Sequence, residues 1–433
     1  MKKKLVILGG GFAGLQLAKR MKHTGYEVLL IDHNNFHQFQ PLFYQVATGR
    51  LEPSAISFPL RKVFQHEKHV HIRISEILSV DTAAQKVVTA DGEHAYDVLV
   101  IATGCTTNFF GNKNFERYCF PMKSTGEAVE LRNRILLNFE DALSAPAEQQ
   151  EEIMNIVIAG GGPTGVELAG SLAEMKKYIL PRDYPDMDFS RLAIYLVEGG
   201  PNTLQAMSEA SRVKSKQYLE DMGVHVLTNA LAADYDGHTL KLKDGREIKT
   251  RTMIWSAGIT GNIPAGLPAE SIVRGGRIKV DGYNKAEGTD NVYALGDIAY
   301  MEADAGYPKG HPQVANVAIN QAKLLADNLK DTLKGKPMKA FIYRSPGSMA
   351  TVGKHKAVVD LPFISFQGRL AWFTWMFLHL MLILSVRNKF FIFINWAISY
   401  FTNDTTLRLI LRPGRKEQGD LSPTLSKGEG GGV

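Results

Sequence analysis

The sequence contains few cysteines: Cys105 and Cys119 are the two in 433 residues. Their spacing matches neither a CxxC redox pair nor a zinc-binding pattern, and two cysteines are too few for a disulfide-rich scaffold. We therefore expect neither thiol chemistry nor a bound metal ion.

Long apolar runs are also few. The run 370–386 has 17 residues without a formal charge, which is the lower limit for a membrane-spanning helix. Hydrophobic residues make up 45% of the chain and charged residues 22%, so neither a disordered chain nor a polytopic membrane protein fits the composition. With 433 residues the chain exceeds the roughly 250–300 residues of a single core, which predicts two or three domains.

A glycine-rich turn follows the first apolar run, residues 3–8. Gly9, Gly11 and Gly14 match the pattern GxGxxG at the start of a predicted helix. The first glycine permits a tight turn, the second lets the backbone approach a diphosphate, and the third lets the helix pack on the strand. A second predicted strand ends at Asp32, at the offset expected of an acid that binds a ribose hydroxyl. The segment therefore predicts a dinucleotide-binding fold.

The same pattern returns in the middle of the chain. Gly160, Gly162 and Gly165 precede another predicted helix, and a later strand ends at Glu198 after an inserted loop at 181–190. A carboxylate there accepts hydrogen bonds from a free ribose 2′-hydroxyl and repels a 2′-phosphate, so Glu198 favours NADH over NADPH. The alternative is a solvated acid at a strand end. Two such folds indicate electron transfer between a flavin and a nicotinamide.

Three further segments fit this organisation. Residues 97–104 and 254–258 are apolar runs that end in turns of small residues, and 291–297 ends in Gly296 and Asp297. In this order they resemble the two-dinucleotide flavoproteins, whose α/β fold has two Rossmann-like domains of the glutathione-reductase type. The resemblance implies that Asp297 lies against the ribityl chain of FAD. It also assigns nucleotide contacts to the turn residues Thr103, Gly104, Ala257, Gly258 and Gly296.

Within this group the chain resembles type II NADH:quinone oxidoreductase, the single-subunit alternative NADH dehydrogenase, from about Lys3 to Pro413. The loop 35–47, which includes Gln45, follows the ribose acid as the loop of that family does. The resemblance implies that it lines the flavin; a packed aromatic loop is the alternative. Glu167 takes the place of the family's glutamate between NADH and flavin, although an acid in a first helical turn also complements the helix dipole.

The segment 315–321 corresponds to the AQxAxQ quinone-site motif of the same family, with Asn316 and Asn320 in place of the two glutamines. Asparagine keeps the amide but is one methylene shorter, so contact with a quinone needs a shifted headgroup or a water molecule. The spacing of four residues predicts that both amides share one helix face. Two solvated amides are the alternative.

The C-terminal region combines aromatic and basic residues, and the net charge of the chain is +6. Trp372, Trp375 and Trp396 lie in two apolar stretches that the charged segment 387–389 separates. This pattern predicts amphipathic helices in an anionic lipid interface, and no nucleic-acid motif accompanies the charges. The resemblance implies the same monotopic attachment, which gives a lipid-soluble quinone access. A core or homodimer helix pair is the alternative, and the tail from about 414 is expected to be disordered.

We predict a discontinuous FAD-binding domain of residues 1–116 and 261–337, an NADH-binding domain of 117–260, and a membrane-anchoring and quinone-access region of 338–433. The predicted reaction is the oxidation of NADH, without proton pumping, and the two-electron reduction of a membrane quinone through non-covalent FAD. Without a recognisable transit peptide we expect peripheral attachment at the cytoplasmic face of the cell membrane.

Three alternatives share this fold, so the fold does not discriminate among them. A sulfide:quinone oxidoreductase needs a redox-active cysteine pair near the flavin, which Cys105 and Cys119 do not supply. A soluble reductase of ferredoxin or rubredoxin has no use for the apolar C-terminal region. A non-catalytic NADH-binding interaction protein, similar to apoptosis-inducing factor, turns over slowly with quinone.

Overall fold

The first of two parallel sheets contains the N-terminus. The computed structural model of the protein describes residues 2–402, 404 and 407–411. The strand Lys3–Leu8 is central because its apolar residues are buried on both faces of the sheet. In spatial order the five strands are Val292–Ala294, Val98–Ile101, Lys3–Leu8, Tyr26–Asp32 and Val70–Ile74.

The second parallel sheet repeats this arrangement around Ile156–Ala159. Its two neighbours, Thr252–Trp255 and Ile194–Val197, bring their carboxyl ends to the same edge as the second glycine turn. In spatial order the strands are Phe120–Pro121, Thr252–Trp255, Ile156–Ala159, Ile194–Val197 and Val224–Leu227. The predicted fold class, with two Rossmann-like units, is therefore confirmed.

A two-stranded antiparallel ladder, Cys105–Thr107 against Ile259–Gly261, connects the two parallel sheets in the chain. The strand Val292–Ala294 belongs to the first sheet although it follows the whole second sheet in sequence. The domain boundaries at 116/117, 260/261 and 337/338 stay predictions. Outside the C-terminal region, the other small sheets of the described residues are Phe36–Gln38 with Ser57–Pro59; Ile77–Asp81, Lys86–Thr89 and Gly92–Ala95; Ala232–Tyr235, Thr239–Leu242 and Glu247–Lys249; and Ile272–Val273, Arg277–Val280 and Ala299–Met301.

The helices pack on these sheets. Phe12–Arg20 lies against Ala315–Thr332 through the apolar side chains of one core cluster. The α-helices outside the C-terminal region are Phe12–Arg20, Phe43–Ala47, Leu60–Val63, Lys113–Tyr118, Thr125–Ser144, Ala147–Met154, Pro163–Glu174, Leu180–Asp183, Glu209–Glu220 and Ala315–Thr332.

The prediction that residues 181–190 form an inserted loop is partly wrong. The helix Pro163–Glu174 continues through one π-helical segment, Met175–Ile179, into the short helix Leu180–Asp183. Pro181 does not end the helical segment, because it lies in the first turn of that short helix, where a missing N–H breaks no helical hydrogen bond. Within the segment only 184–188 is irregular, because the 3-10 helix Phe189–Arg191 follows.

The C-terminal region consists of a three-stranded antiparallel sheet and two helices. The strands are Ser348–Thr351, Ala357–Leu361 and Ile364–Gln367, and the helices are Arg369–Leu382 and Val386–Thr402. The break between the two helices falls at 383–385, and the charged residues 387–389 lie in the first turn of the second helix. There Asn388 donates to the carbonyl oxygen of Ala55 at 2.8 Å. Within the described residues, no helix has both the length and the apolar composition needed to cross a membrane.

One large core cluster joins three parts of the chain. The segment 35–47, which is predicted to line the flavin, is called the flavin-side loop below. Phe39 from this loop, Leu168 from the helix Pro163–Glu174, and Trp375 and Trp396 from the two C-terminal helices all belong to the cluster. The C-terminal helices therefore pack on both nucleotide-binding units. The predicted disordered tail from about 414 lies outside the described residues.

Candidate active site

The first glycine turn is shaped to admit a diphosphate. Gly9 has a φ of +99°, and a Cβ atom there would lie 2.4 Å from the carbonyl oxygen of Ala102. A Cβ atom on Gly14 would lie 1.9 Å from the Gly9 carbonyl oxygen, whereas one on Gly11 would meet no atom within 4 Å. The open side of the turn thus lies at Gly11, where the backbone approaches the diphosphate in this kind of fold. The turn fits a flavin dinucleotide.

Asp32 closes this turn from the next strand. Its carboxylate accepts the N–H groups of Gly10 at 2.5 Å and Asn34 at 2.6 Å. Burial raises the pKa of Asp32, and both N–H groups oppose that rise. His37 supports the same turn by donating Nδ1–H to the Gly10 carbonyl at 2.9 Å; burial lowers its pKa to about 4, so the ring is neutral at pH 7.

The turn at Gly296 and Asp297 is held by the helix Ala315–Thr332 and by Gln313, just before that helix. Gly296 donates its N–H to Oε1 of the buried Gln321 at 2.7 Å, and Gln313 donates to the Asp297 carbonyl oxygen at 3.0 Å. The thiol of Cys105 donates to Oδ2 of Asp297 at 3.0 Å. Residues from other segments thus hold Asp297 and its turn in place, and its contact with the ribityl chain stays a prediction.

Thr103 and Gly104 end the strand Val98–Ile101 beside the first glycine turn. The Thr103 hydroxyl donates to the carbonyl oxygen of Asn262 at 2.6 Å, and Asn262 returns a backbone N–H to Gly104 at 3.0 Å. Gly104 has a φ of +67° and open space at its Cβ position. These bonds fix the turn at Thr103 and Gly104, a predicted cofactor contact, to the residue that follows the strand Ile259–Gly261.

The second glycine turn repeats the geometry of the first. A Cβ atom on Gly160, where φ is +107°, would lie 2.6 Å from the Ser256 carbonyl oxygen, and one on Gly165 would lie 2.0 Å from the Gly160 oxygen. A Cβ atom on Gly162 would meet nothing within 4 Å. Glu198 takes the place of Asp32.

Glu198 accepts the N–H groups of Gly161 and Gly200, each at 2.6 Å. On the other side of the central strand, Ala257 and Gly258 follow Thr252–Trp255. A Cβ atom on Gly160 would lie 2.8 Å from the Ala257 Cα, so the two turns are in contact. The predicted NADH-binding residues thus surround one site at the carboxyl edge of the sheet.

Four chain segments meet at Glu167, which is 7% exposed in the helix Pro163–Glu174. Thr351 donates its backbone N–H to Oε1 of Glu167 at 3.3 Å, and its hydroxyl lies 3.1 Å from that of Tyr44. Gln45 donates to the Tyr44 hydroxyl at 2.9 Å and accepts the indole N–H of Trp396 at 2.7 Å. Burial raises the pKa of Glu167 to about 8.

Charged residues connect the same segments: Glu174 is buried, and Arg50 and Lys354 are half-buried. Arg50, just after the flavin-side loop, pairs with Glu174 at the end of the nucleotide helix, and Glu174 also accepts the backbone N–H of Lys354. The Lys354 ammonium group donates to the carbonyl oxygens of Ser399, at 2.9 Å, and Tyr400, near the end of the helix Val386–Thr402. A cation there complements the helix dipole.

Asn316 and Asn320 lie on one face of the helix Ala315–Thr332, and Nδ2 of Asn320 donates to Oδ1 of Asn316 at 3.0 Å. Both side chains are half-buried. Among the described residues, no hydrogen bond joins either amide to Glu167. The catalytic role of Glu167 and the quinone contacts of the two amides stay predictions, as do all the other residue roles assigned above.

The two cysteines do not form a reactive pair. Cys105 and Cys119 are free thiols, and Cys119 is buried in a core cluster with Tyr235 and Trp255. Burial raises the pKa of Cys105 to about 12 and also raises that of Cys119, so both thiols are protonated at neutral pH. A protonated thiol is a poor nucleophile, which argues against sulfide chemistry.

Sequence reasoning missed the residues that connect Glu167 to the C-terminal region, chiefly Tyr44, Thr351 and Lys354. Tyr44 lies within the segment 35–47, which the sequence analysis singled out without assigning Tyr44 a role. Thr351 and Lys354 gave none, because their partners are between 45 and 307 residues away in sequence.

Comparison with known proteins agrees with this geometry. Residues 3–322 match the pyridine nucleotide-disulphide oxidoreductase family, and residues 346–403 match the NDH2 C-terminal domain. The type II NADH:quinone oxidoreductase NdhA of Mycobacterium tuberculosis is 34% identical over 411 residues, which cover 92% of this chain and 87% of that protein. The NDH2 structure from Plasmodium falciparum in complex with NADH superimposes with a TM-score of 0.87 at 21% identity, covering 94% of this chain and 100% of that one.

Each glycine turn, together with the carboxylate that closes it, is called a glycine cradle below. The fold and the two glycine cradles define a flavoprotein of the pyridine nucleotide-disulphide oxidoreductase class. Within that class, the chain belongs to the type II NADH:quinone oxidoreductases. The resemblance stated from the sequence is thereby confirmed. The sulfide:quinone oxidoreductase of Aquifex aeolicus shares the fold at a TM-score of 0.70 and 18% identity, over 95% of this chain and 96% of that one, so the fold alone would not have separated the two.

Proposed function

We propose that the chain oxidises NADH and reduces a membrane quinone by two electrons through non-covalently bound FAD, without pumping protons. The pair of glycine cradles, each closed by a carboxylate that accepts N–H groups of its own turn, carries the proposal. Bound FAD supplies the hydride acceptor and the two-electron donor. Steady-state NADH oxidation that requires a quinone analogue tests it, and turnover with sulfide in place of NADH would contradict it.

The residues of the chain have distinct roles in this proposal. Asp32 and Asp297 orient the flavin nucleotide, Glu198 binds the ribose of NADH, and the open glycines admit the diphosphates. Glu167, buried between the NADH cradle and the flavin-side loop, holds a proton at neutral pH because its pKa is raised to about 8. Asn316 and Asn320 bind the quinone headgroup through the amide groups that their mutual hydrogen bond leaves free.

The Glu198→Gln variant is expected to narrow the preference for NADH over NADPH by at least about tenfold. The change removes the negative charge that repels a 2′-phosphate, and repulsion between like charges costs several kcal/mol. The introduced amide keeps one oxygen, which can accept the N–H of Gly161, while the bond from the N–H of Gly200 is lost. Ratios of kcat/KM for the two cofactors check this, with Glu247→Gln on a distant exposed strand as the control. An unchanged ratio would make Glu198 a structural cap only.

We propose that the partner of the two C-terminal helices is an anionic lipid surface on the cytoplasmic face. The helices expose large apolar side chains, and Phe377 and Phe390 are 63% and 61% exposed. Arg387 and Lys389 lie in the first turn of the second helix, just before Phe390, and the Arg387 guanidinium lies over the ring of Phe391. Basic residues beside an exposed apolar face are typical of interfacial helices. The free thiols agree with a reducing compartment, where NADH is available.

Replacing Phe377 and Phe390 together by aspartate is expected to weaken binding to anionic vesicles by more than about tenfold. Each phenylalanine contributes roughly 1.5–3 kcal/mol when fully buried, and the new charges oppose the anionic surface. Co-sedimentation with vesicles measures the effect, and Val213→Asp, an exposed site on the helix Glu209–Glu220, is the control. If binding persists while sedimentation velocity shows a dimer becoming a monomer, the apolar face is a homodimer interface instead.

A further inference from the structure

The hydrogen bonds that lead to Glu167 run in one direction. The indole N–H of Trp396 can only donate, and it donates to Oε1 of Gln45 at 2.7 Å. The amide nitrogen of Gln45 is then the atom beside Tyr44, and it donates to the Tyr44 hydroxyl oxygen at 2.9 Å. The orientation of the Gln45 amide is therefore set by Trp396.

The direction continues to the carboxyl group. Because the Tyr44 oxygen accepts from Gln45, its own O–H is directed at Oγ1 of Thr351, 3.1 Å away. The Thr351 hydroxyl hydrogen then remains for Glu167, which the same residue also contacts through its backbone N–H at 3.3 Å. Both Tyr44 and Gln45 are buried, so water does not compete for these bonds.

We propose that Gln45, Tyr44 and Thr351 are positioning residues that form a one-directional chain of donors, through which Trp396 of the second C-terminal helix orients the carboxyl group of Glu167. The seating of that helix on the flavin-side loop thereby sets the proton affinity of a group at the NADH site. The catalytic meaning of this chain rests on the role proposed above for Glu167.

The charged and titratable groups around Glu167 are otherwise neutral or paired. On the elements packed against it, Arg50 pairs with Glu174, and the ammonium group of Lys354 donates to the carbonyl oxygens of Ser399 and Tyr400. Burial lowers the pKa of His379 to about 4. Burial and the charge of Glu167 raise the pKa of Tyr44, so its hydroxyl keeps its proton. Hydrogen-bond donors are then the main influence that opposes burial at Glu167.

A second indole from the C-terminal helices acts on the same carboxyl group. The Trp375 N–H is buried and has no hydrogen-bond partner among the described residues. It is nevertheless near enough to Glu167 to lower the pKa of that carboxyl. Donors from both C-terminal helices thus favour the ionised form, and burial favours the protonated form.

Loss of the Trp396 donor is expected to weaken the whole chain. In Trp396→Phe the Gln45 oxygen lacks its partner, so the amide can turn and accept the O–H of Tyr44, which then no longer points to Thr351. The carboxylate of Glu167 loses support, and its titration midpoint rises. Since a net hydrogen bond changes a pKa by about half a unit to one unit, a shift of that size is expected.

The test follows the carboxyl group itself. Infrared difference spectra of the purified, FAD-loaded protein are recorded across a pH series, and the C=O band of the protonated group is assigned by its loss in Glu167→Gln. Trp396→Phe and Thr351→Val are each expected to raise the midpoint by about half a unit to one unit. Trp372→Phe is the matched control, because Trp372 is similarly buried in the C-terminal helices but contacts His355 and Tyr400.

An unchanged midpoint in Trp396→Phe overturns the proposal, whether or not Thr351→Val shifts it. If Trp396→Phe does not purify, Tyr44→Phe interrupts the same chain and has to show the same rise. A rise in Trp372→Phe of equal size would also overturn it, since helix packing in general would then be the cause. If Glu167→Gln retains full turnover while the midpoints move as expected, the catalytic role of Glu167 fails and the donor chain stands.

Discussion

The Gly14→Val variant is expected to purify without flavin, with the FAD content lowered by more than about tenfold. A Cβ atom at this position would lie 1.9 Å from the carbonyl oxygen of Gly9, so the helix Phe12–Arg20 has to move away from the turn. The cradle then no longer presents its N–H groups to a diphosphate. Absorbance of the flavin band relative to protein measures the loss.

The corresponding variant in the second cradle separates the two sites. Gly165→Val places a Cβ atom 2.0 Å from the Gly160 oxygen and leaves the first turn unchanged. This protein should remain yellow, yet stoichiometric NADH should not bleach it. Gly126→Ala, in the helix Thr125–Ser144 with its nearest contact at 3.8 Å, is the control for both. A Gly14→Val protein with full flavin content would contradict the assignment of the first cradle.

The second large effect is expected from Glu167→Gln, which should lower the rate of quinone reduction by about 100-fold while FAD stays bound. The pKa of Glu167 is raised to about 8, so the group is mostly protonated at pH 7 and loses its proton as the pH rises through 8. A rate that needs the protonated group therefore falls above pH 8. Glutamine cannot titrate, so the variant should lose this pH dependence.

Stopped-flow measurement of flavin reoxidation across a pH series checks both parts of that expectation. Glu220→Gln, a surface acid at the end of the helix Glu209–Glu220, serves as the control. If Glu167→Gln has the wild-type rate and the wild-type pH profile, the glutamate has no part in proton transfer. Its burial would then be a matter of packing alone.

The parts of the site that depend on local sequence could be predicted. Gly9 and Gly160 are recognisable because the turn, the diphosphate contact and the helix packing are all set by residues at most five positions apart. Asp32 and Glu198 follow because a strand end fixes their place beside the turn. Glu198 could be recognised although it lies further from its glycine turn than Asp32 does from the first. The insertion that causes the longer separation contains more helix than expected.

The connection to the C-terminal region could not be predicted in the same way. Thr351 contacts Glu167 across 184 residues, and Trp396 contacts Gln45 across 351. Neither the hydrophobic periodicity of the sequence nor the spacing of its motifs indicates such contacts, because they form only when the second nucleotide unit and the C-terminal sheet have packed together.

The most direct test of the account is an anaerobic titration in two steps. Purified protein is mixed with stoichiometric NADH while the flavin band is followed, and a soluble quinone analogue is then added. The account predicts bleaching by NADH and rapid recovery of the band with quinone. A protein without flavin, or a flavin that NADH bleaches and quinone does not restore, would contradict it.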